Sequence, residues 1–78
     1  DATRQAELDA RELGKILDAF LRTLPRDNQM IFLRRYWYVD PVQRIAARYE
    51  IKENTVKSIL FRTREKLRRY LLEEGIAI

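Results

Sequence analysis

The chain has no cysteine and no histidine, and both absences narrow its chemistry. Without cysteine it has no disulfide framework and no thiolate ligands for a metal. Without histidine it lacks the commonest general base and the commonest metal ligand. We therefore expect no catalytic residues, no metal site and no cofactor, and an enzyme is the weakest of the functional hypotheses.

Long apolar runs are also missing. No stretch approaches the roughly 20 apolar residues that a membrane span needs. The first ten residues, "DATRQAELDA", lack the charged and then apolar pattern of a signal peptide. The chain does not begin with methionine, so we expect it to be a piece of a longer protein. These features favour a soluble domain that works in the cytoplasm.

Glycine and proline are scarce, with two of each among 78 residues. A chain of this length forms one small domain with a modest core, which needs most of its large apolar residues inside. Apolar residues at three- and four-residue spacing predict an all-α fold with four helices. They run from about Glu7 to Leu24, from Pro25 or Arg26 to Tyr38, from Pro41 to Tyr49, and from Lys52 or Glu53 to about Glu74.

Local signals place the helix ends. Pro25 ends the first helix, because proline cannot continue a helix and disfavours helical geometry in the residue before it. Asp40 is predicted to cap the third helix, with Pro41 at its first position. Gly75 is predicted to stop the fourth helix.

The apolar faces of the four helices define the expected core. It comprises Leu13, Ile16, Leu17, Phe20, Leu21, Leu24, Ile31, Phe32, Leu33, Tyr36, Val42, Ile45, Ala46, Tyr49, Val56, Leu60, Thr63, Leu67, Tyr70 and Leu71. Ile51, between the last two helices, is also expected to be buried. Trp37 and Tyr38 are too many aromatics for one face, so we expect part of this cluster to be exposed for a partner.

A short helix, a tight joint with an apolar residue and then a long basic helix form the helix-turn-helix pattern. Residues 43–70 hold nine basic and three acidic residues, whereas residues 1–42 hold seven of each. A positive segment on a neutral scaffold is typical of polyanion binding, although a solvated helix face gives the same composition. We divide the single domain into a flank with the first helix, residues 1–24, and a helix-turn-helix core, residues 25–78.

The helical period of the fourth helix separates a core stripe from a polar face, and Phe61 lies near the middle of the polar face. A phenyl ring can contact a thymine methyl group, and the polar side chains around it can hydrogen-bond base edges. The candidate base contacts are Asn54, Lys57, Ser58, Phe61 and Arg62. The candidate phosphate contacts, which position the helix without reading sequence, are Arg44, Arg48, Lys52, Thr55 and Arg64.

Several of these residues have a plainer explanation. Phe61 could pack on the first helix or on another subunit, but we favour the DNA interpretation because its neighbours are hydrogen-bond donors. Asn54 could equally be a local cap partner at the helix start. Arg68 and Arg69 are best explained as a solvated face.

The segment "LPRDNQMIFLRRYWYVDPVQRIAARYEIKENTVKSILFRTREKLRRYL" resembles the C-terminal DNA-binding domain, domain 4, of bacterial sigma factors, especially the extracytoplasmic-function (ECF) group. The matching pieces are "LP" and "FLRRY" in the second helix, "IAARYEI" across the turn, and "TVKSILFRTREKLR" on the recognition helix. The resemblance covers about Leu24 to Leu71.

The resemblance implies a function in transcription initiation. Domains of this group bind the −35 promoter element, and another face holds the flap of the RNA polymerase β subunit. Many are held inactive by an anti-sigma factor. By position, the group's DNA contacts fall on Lys57, Ser58, Phe61 and Arg62.

The chain departs from the group's pattern at three places. Ile59 stands where the group often has arginine, so we expect one backbone contact to be missing. Glu50 stands where the turn often has glycine, and a left-handed conformation there would cost about 1–2 kcal/mol. Lys52 stands where a serine often caps the recognition helix.

Two other functions fit part of the pattern. The output domain of a LuxR-type response regulator shares "TV" on a similar helix, but the long first helix and "LPRDNQMIFLRRY" fit the sigma pattern better. A helical module that binds only protein would dock its partner through Trp37, Tyr38 and Phe61, and it would show no salt-dependent affinity for DNA.

Overall fold

The computed structural model describes residues 9–76, which are helical throughout apart from short connections. The helices are α1 (Ala10–Leu21), α2 (Arg26–Tyr36), α3 (Val42–Tyr49) and α4 (Glu53–Glu73). No strand occurs within this described range. The prediction of an all-α domain with four helices is therefore confirmed, while the predicted first residue of the first helix, Glu7, lies outside the described residues.

Helix α1 is capped at its start by Asp9, whose carboxylate accepts a hydrogen bond from the Glu12 amide at 2.8 Å. It ends at Leu21, three residues earlier than the sequence predicted. The Thr23 and Leu24 amides donate to carbonyls three residues back, at 2.9 and 3.1 Å, which is the tighter geometry of a closing turn. Pro25 disfavours helical geometry at Leu24, so the turn cannot continue as α-helix.

Helix α2 ends at Tyr36 rather than at the predicted Tyr38. Val39 has a left-handed backbone with φ of 58°, which no α-helix accommodates. The Asp40 amide then donates to the Arg34 carbonyl at 2.8 Å, so the chain folds back over the last turn of α2.

The start of α3 corrects a second prediction. Its cap position is Pro41, not Asp40, and no side chain caps the helix. The Asp40 carboxylate instead accepts from the Arg34 guanidinium at 3.4 Å. Because this carboxylate is drawn towards α2, it is not available to the free amides of α3.

The core lies where α2, α3 and α4 meet. Its buried cluster comprises Ile31, Ile45, Ala46, Val56 and Leu60, with Phe32, Val42, Tyr49, Ile51 and Ile59 half-buried against it. The small side chain of Ala46 sits within this cluster. The face predicted for α3 is thus confirmed, and the predicted burial of Ile51 is confirmed in part.

Helix α1 joins the core mainly through its C-terminal end. Phe20 is buried, and its ring centroid lies 5.4 Å from that of Tyr70 in α4. Leu24 is also buried, whereas Leu13 is exposed and Ile16 and Leu17 are half-buried. The apolar face of α1 is therefore covered at one end and open at the other.

The joint between α3 and α4 is three residues long, from Glu50 to Lys52. Glu50 adopts the left-handed conformation, with φ of 55°, and the Ile51 amide donates to the Ala46 carbonyl at 3.0 Å. This pairing ends α3 with a Schellman motif, whose left-handed position glycine normally fills. The left-handed conformation that the sequence raised as a condition for Glu50 is therefore present.

Helix α4 ends in the same kind of motif, here with the expected glycine. Gly75 has φ of 81°, and the Ile76 amide donates to the Leu71 carbonyl at 2.9 Å. At the other end, Lys52 occupies the cap position and its side chain caps nothing. The stop at Gly75 and the absence of a serine-type cap at Lys52 both agree with the sequence.

Candidate nucleic-acid interface

The two sides of α4 have opposite environments. Val56, Leu60 and Thr63 are buried, and the Thr63 hydroxyl donates to the Ile59 carbonyl at 2.7 Å. The five candidate base contacts on the other side, Asn54, Lys57, Ser58, Phe61 and Arg62, are all exposed. The helical period predicted this division, because residues three and four apart share a face.

Phe61 is the most unusual member of the exposed side. Its side chain is 58% exposed, so it is not a core residue of α4 and is not covered by α1. It lies one helical turn beyond Lys57 and Ser58, directly before Arg62. The structure therefore exposes a phenyl ring to water within a polar surface, and the ring contributes no free energy of burial there.

Asn54 is exposed in the first turn of α4. The side-chain hydrogen bonds within residues 9–76 do not include Asn54, and the cap residue Lys52 makes no side-chain cap bond either. The alternative role of Asn54 as a local cap partner therefore has no support in the described structure. Its amide is free to act as both donor and acceptor.

The candidate phosphate contacts surround this face. Arg44 and Arg48 are exposed one turn apart on α3, while Lys52 and Thr55 are exposed at the start of α4. The ion pairs within the described range are Arg22–Asp18 and Arg34–Asp40. They involve none of the cations at this surface, which are Arg44, Arg48, Lys52, Lys57 and Arg62. Their charges are thus not neutralised by neighbouring carboxylates in this part of the chain.

Arg64, the remaining phosphate candidate, has a protein partner that the sequence did not suggest. Its guanidinium donates a hydrogen bond to the Tyr36 hydroxyl at the end of α2. Tyr36 was predicted to lie in the core, which is wrong: its side chain is 47% exposed. Helical periodicity could not reveal this bond, because the two residues are 28 positions apart on different helices.

The environment of Ile59 accounts for one departure from the sigma pattern, the lack of an arginine at this position. Its side chain is half-buried against the core cluster and lies beside that cluster rather than on the exposed face. An arginine here would have to extend from the edge of the core to reach a phosphate. The chain uses the position for packing instead.

A second surface lies between α1 and the end of α2. We call it the aromatic groove; it encloses about 500 Å³ and is lined by Leu17, Leu21, Phe32, Leu33, Tyr36 and Trp37, with Gly14, Asp18 and Tyr38 at its edge. Trp37 is 77% exposed and Tyr38 is 60% exposed. The predicted exposure of this aromatic cluster is confirmed.

Within residues 9–76, the acidic residues form no group that could hold a metal ion. Within the same range, no helix is both long and apolar enough to cross a membrane.

The arrangement matches a known family of domains. The family model described as "Sigma-70, region 4" matches residues 14–67, from the first half of α1 to Leu67 in α4. The match includes the aromatic groove, α3, most of α4 and every candidate contact residue. No curated protein and no solved structure gives a significant match to the chain.

Proposed function

The chain belongs to the sigma-70 region 4 family, and we propose that it is domain 4 of an ECF-type sigma factor, which recognises the −35 promoter element. In this role it helps to recruit RNA polymerase for transcription initiation. The family is one of DNA-binding regulatory domains. The observation that carries the proposal is the exposed face of α4, where Phe61 stands among hydrogen-bond donors while the opposite face is buried.

The exposed face has the chemistry of a major-groove reader. Arg62 and Lys57 can donate to guanine O6 and N7, and Asn54 can pair with adenine N6 and N7. Ser58 can donate or accept, and Phe61 can contact a thymine methyl group. Each good base contact contributes about 1–3 kcal/mol of discrimination against the wrong base.

The cations around this face, with the Thr55 hydroxyl, would hold the DNA backbone. Arg44 and Arg48 from α3, Lys52 from the turn before α4, and Thr55 and Arg64 from α4 would bond phosphate oxygens beside the inserted helix. Such contacts fix the register of the helix and carry no sequence information. The absence of carboxylate partners for these cations within residues 9–76 supports this assignment.

We assign the flap of the RNA polymerase β subunit to the aromatic groove. Its exposed Trp37 and Tyr38 form a contiguous apolar surface, which on a small domain marks a protein-binding site. An anti-sigma factor that covers the groove and the α4 face would hold the domain inactive. A domain with these partners works in the bacterial cytoplasm, at the nucleoid.

The alternatives explain less of the molecule. A LuxR-type output domain accounts for the helix-turn-helix but not for the family match that begins in α1. A purely protein-binding module accounts for the aromatic groove but not for the exposed donors of α4.

Selection from a random library of double-stranded DNA tests the proposal. The whole chain is expected to enrich one short motif, although one small module makes few contacts and binds weakly. A library that remains random after several rounds would contradict promoter recognition.

A further inference from the structure

The hydrogen bond from the Arg64 guanidinium to the Tyr36 hydroxyl joins α4 to the end of α2. Both side chains are exposed, so the bond is not a by-product of core packing. The Tyr36 ring is itself held by Phe32, with ring centroids 4.8 Å apart and an interplanar angle of 50°. Phe32 packs against the buried core cluster. The hydroxyl is therefore a fixed acceptor on a supported ring.

Arg64 shares a side of α4 with Lys57 and Phe61. The spacing of four and then three residues places the three side chains along one stripe of the helix. Lys57 and Phe61 belong to the part of α4 proposed to enter the major groove of DNA. Arg64 lies about one turn farther along, where the helix would leave the major groove. A phosphate of the DNA backbone is the group that a guanidinium meets there.

We propose that Tyr36 is a positioning residue for DNA binding, which holds Arg64 in the orientation that contacts a backbone phosphate. A free arginine side chain loses rotamer entropy when it is immobilised on a ligand. The Tyr36 hydroxyl occupies one of the five guanidinium donors and restricts the side chain before DNA arrives, which leaves the other donors for phosphate oxygens. This inference rests on the proposed DNA-binding function.

The substitution Tyr36→Phe tests the proposal, because it removes the hydroxyl and keeps the ring that packs on Phe32 and lines the aromatic groove. Tyr70→Phe is the matched control: it removes a hydroxyl that takes part in none of the side-chain hydrogen bonds within residues 9–76, and it keeps the ring that packs on Phe20. Affinity for labelled double-stranded DNA is measured by fluorescence anisotropy. Urea unfolding checks that each variant is folded.

Tyr36→Phe is expected to weaken DNA binding about two- to tenfold, the range that one hydrogen bond is worth. The loss should be equal on preferred and scrambled sequences, because a phosphate contact carries no sequence information. Tyr70→Phe should leave the affinity unchanged. Arg64→Ala should weaken binding and lower the log–log salt slope by about 0.9, whereas Tyr36→Phe should keep the slope, because the charge remains.

A double-mutant cycle decides whether Tyr36 acts through Arg64. In the Arg64→Ala background, Tyr36→Phe is expected to have no further effect on affinity. An equal loss in both backgrounds, or an unchanged affinity for Tyr36→Phe alone, overturns the positioning role while the DNA-binding function stands. Failure of the unsubstituted chain to bind DNA overturns both.

Discussion

The Arg34 guanidinium and the Asp40 carboxylate lie 3.4 Å apart, and this pair joins the last turn of α2 to the residue before α3. Their side chains are only 23% and 14% exposed, so little water screens the interaction. The Arg34 guanidinium also lies over the Tyr38 ring, 5.5 Å from its centroid. The pair therefore fixes the connection that carries Trp37 and Tyr38, and with it one wall of the aromatic groove.

Asp40→Ala should destabilise the domain by about 1–3 kcal/mol, because it leaves a mostly buried guanidinium without its acceptor. Urea unfolding measures the loss. Asp18→Ala is the matched control: it removes the exposed partner of Arg22, and exposed pairs contribute less than about 1 kcal/mol. Equal losses for the two variants would show that the Arg34–Asp40 pair is no more than a surface contact.

Glu50→Gly should stabilise the domain by about 1 kcal/mol, because glycine occupies the left-handed region without the steric penalty of a side chain. The comparison variant is Ala47→Gly, three residues earlier on the exposed side of α3, which should cost about 1 kcal/mol. Thermal and urea unfolding report both changes. A loss of stability for Glu50→Gly would mean that the carboxylate contributes more than its backbone costs.

Lys52→Ser should change stability and DNA affinity in opposite directions. Serine can cap the free amides of α4 and add about 1 kcal/mol to the unfolding free energy. The lost cation should weaken DNA binding on all sequences and lower the log–log salt slope by about 0.9. An unchanged slope, measured in parallel with the unfolding curve, would remove Lys52 from the phosphate contacts.

Phe61→Ala should leave stability within about 0.5 kcal/mol, because the ring is 58% exposed and not part of the core. It should weaken binding to the preferred sequence by about 1–3 kcal/mol and change binding to scrambled DNA much less. Arg44→Ala is the control for a phosphate contact, and it should weaken both sequences alike. Equal losses on both sequences for Phe61→Ala would assign the ring a structural role.

Much of this architecture could be predicted from the sequence because it follows from local rules. The helical period placed Phe61 on the exposed side of α4 and Val56 in the core, and both placements are confirmed. The conformation of Glu50 was not a local inference: the resemblance to sigma domains, which often have glycine there, raised a left-handed turn as a condition, and its φ of 55° meets that condition.

Two of the failures have a common physical cause: each depended on a partner outside the local pattern. Asp40 looks like a helix cap in sequence, but Arg34 competes for its carboxylate from the neighbouring helix. Tyr36 follows the apolar period of α2, yet its hydroxyl is hydrogen-bonded to Arg64, which lies 28 residues away. No spacing rule within one helix contains either interaction.

The central claim, that the exposed face of α4 and the cations around it bind DNA, is tested most directly by salt. The affinity of the whole chain for double-stranded DNA is measured between about 50 and about 200 mM salt, where each neutralised phosphate contributes about 0.9 to the log–log slope. If most of the four charged phosphate contacts (Arg44, Arg48, Lys52 and Arg64) and the charges of Lys57 and Arg62 are engaged, the affinity should fall steeply and linearly on this scale. A flat response would contradict the account.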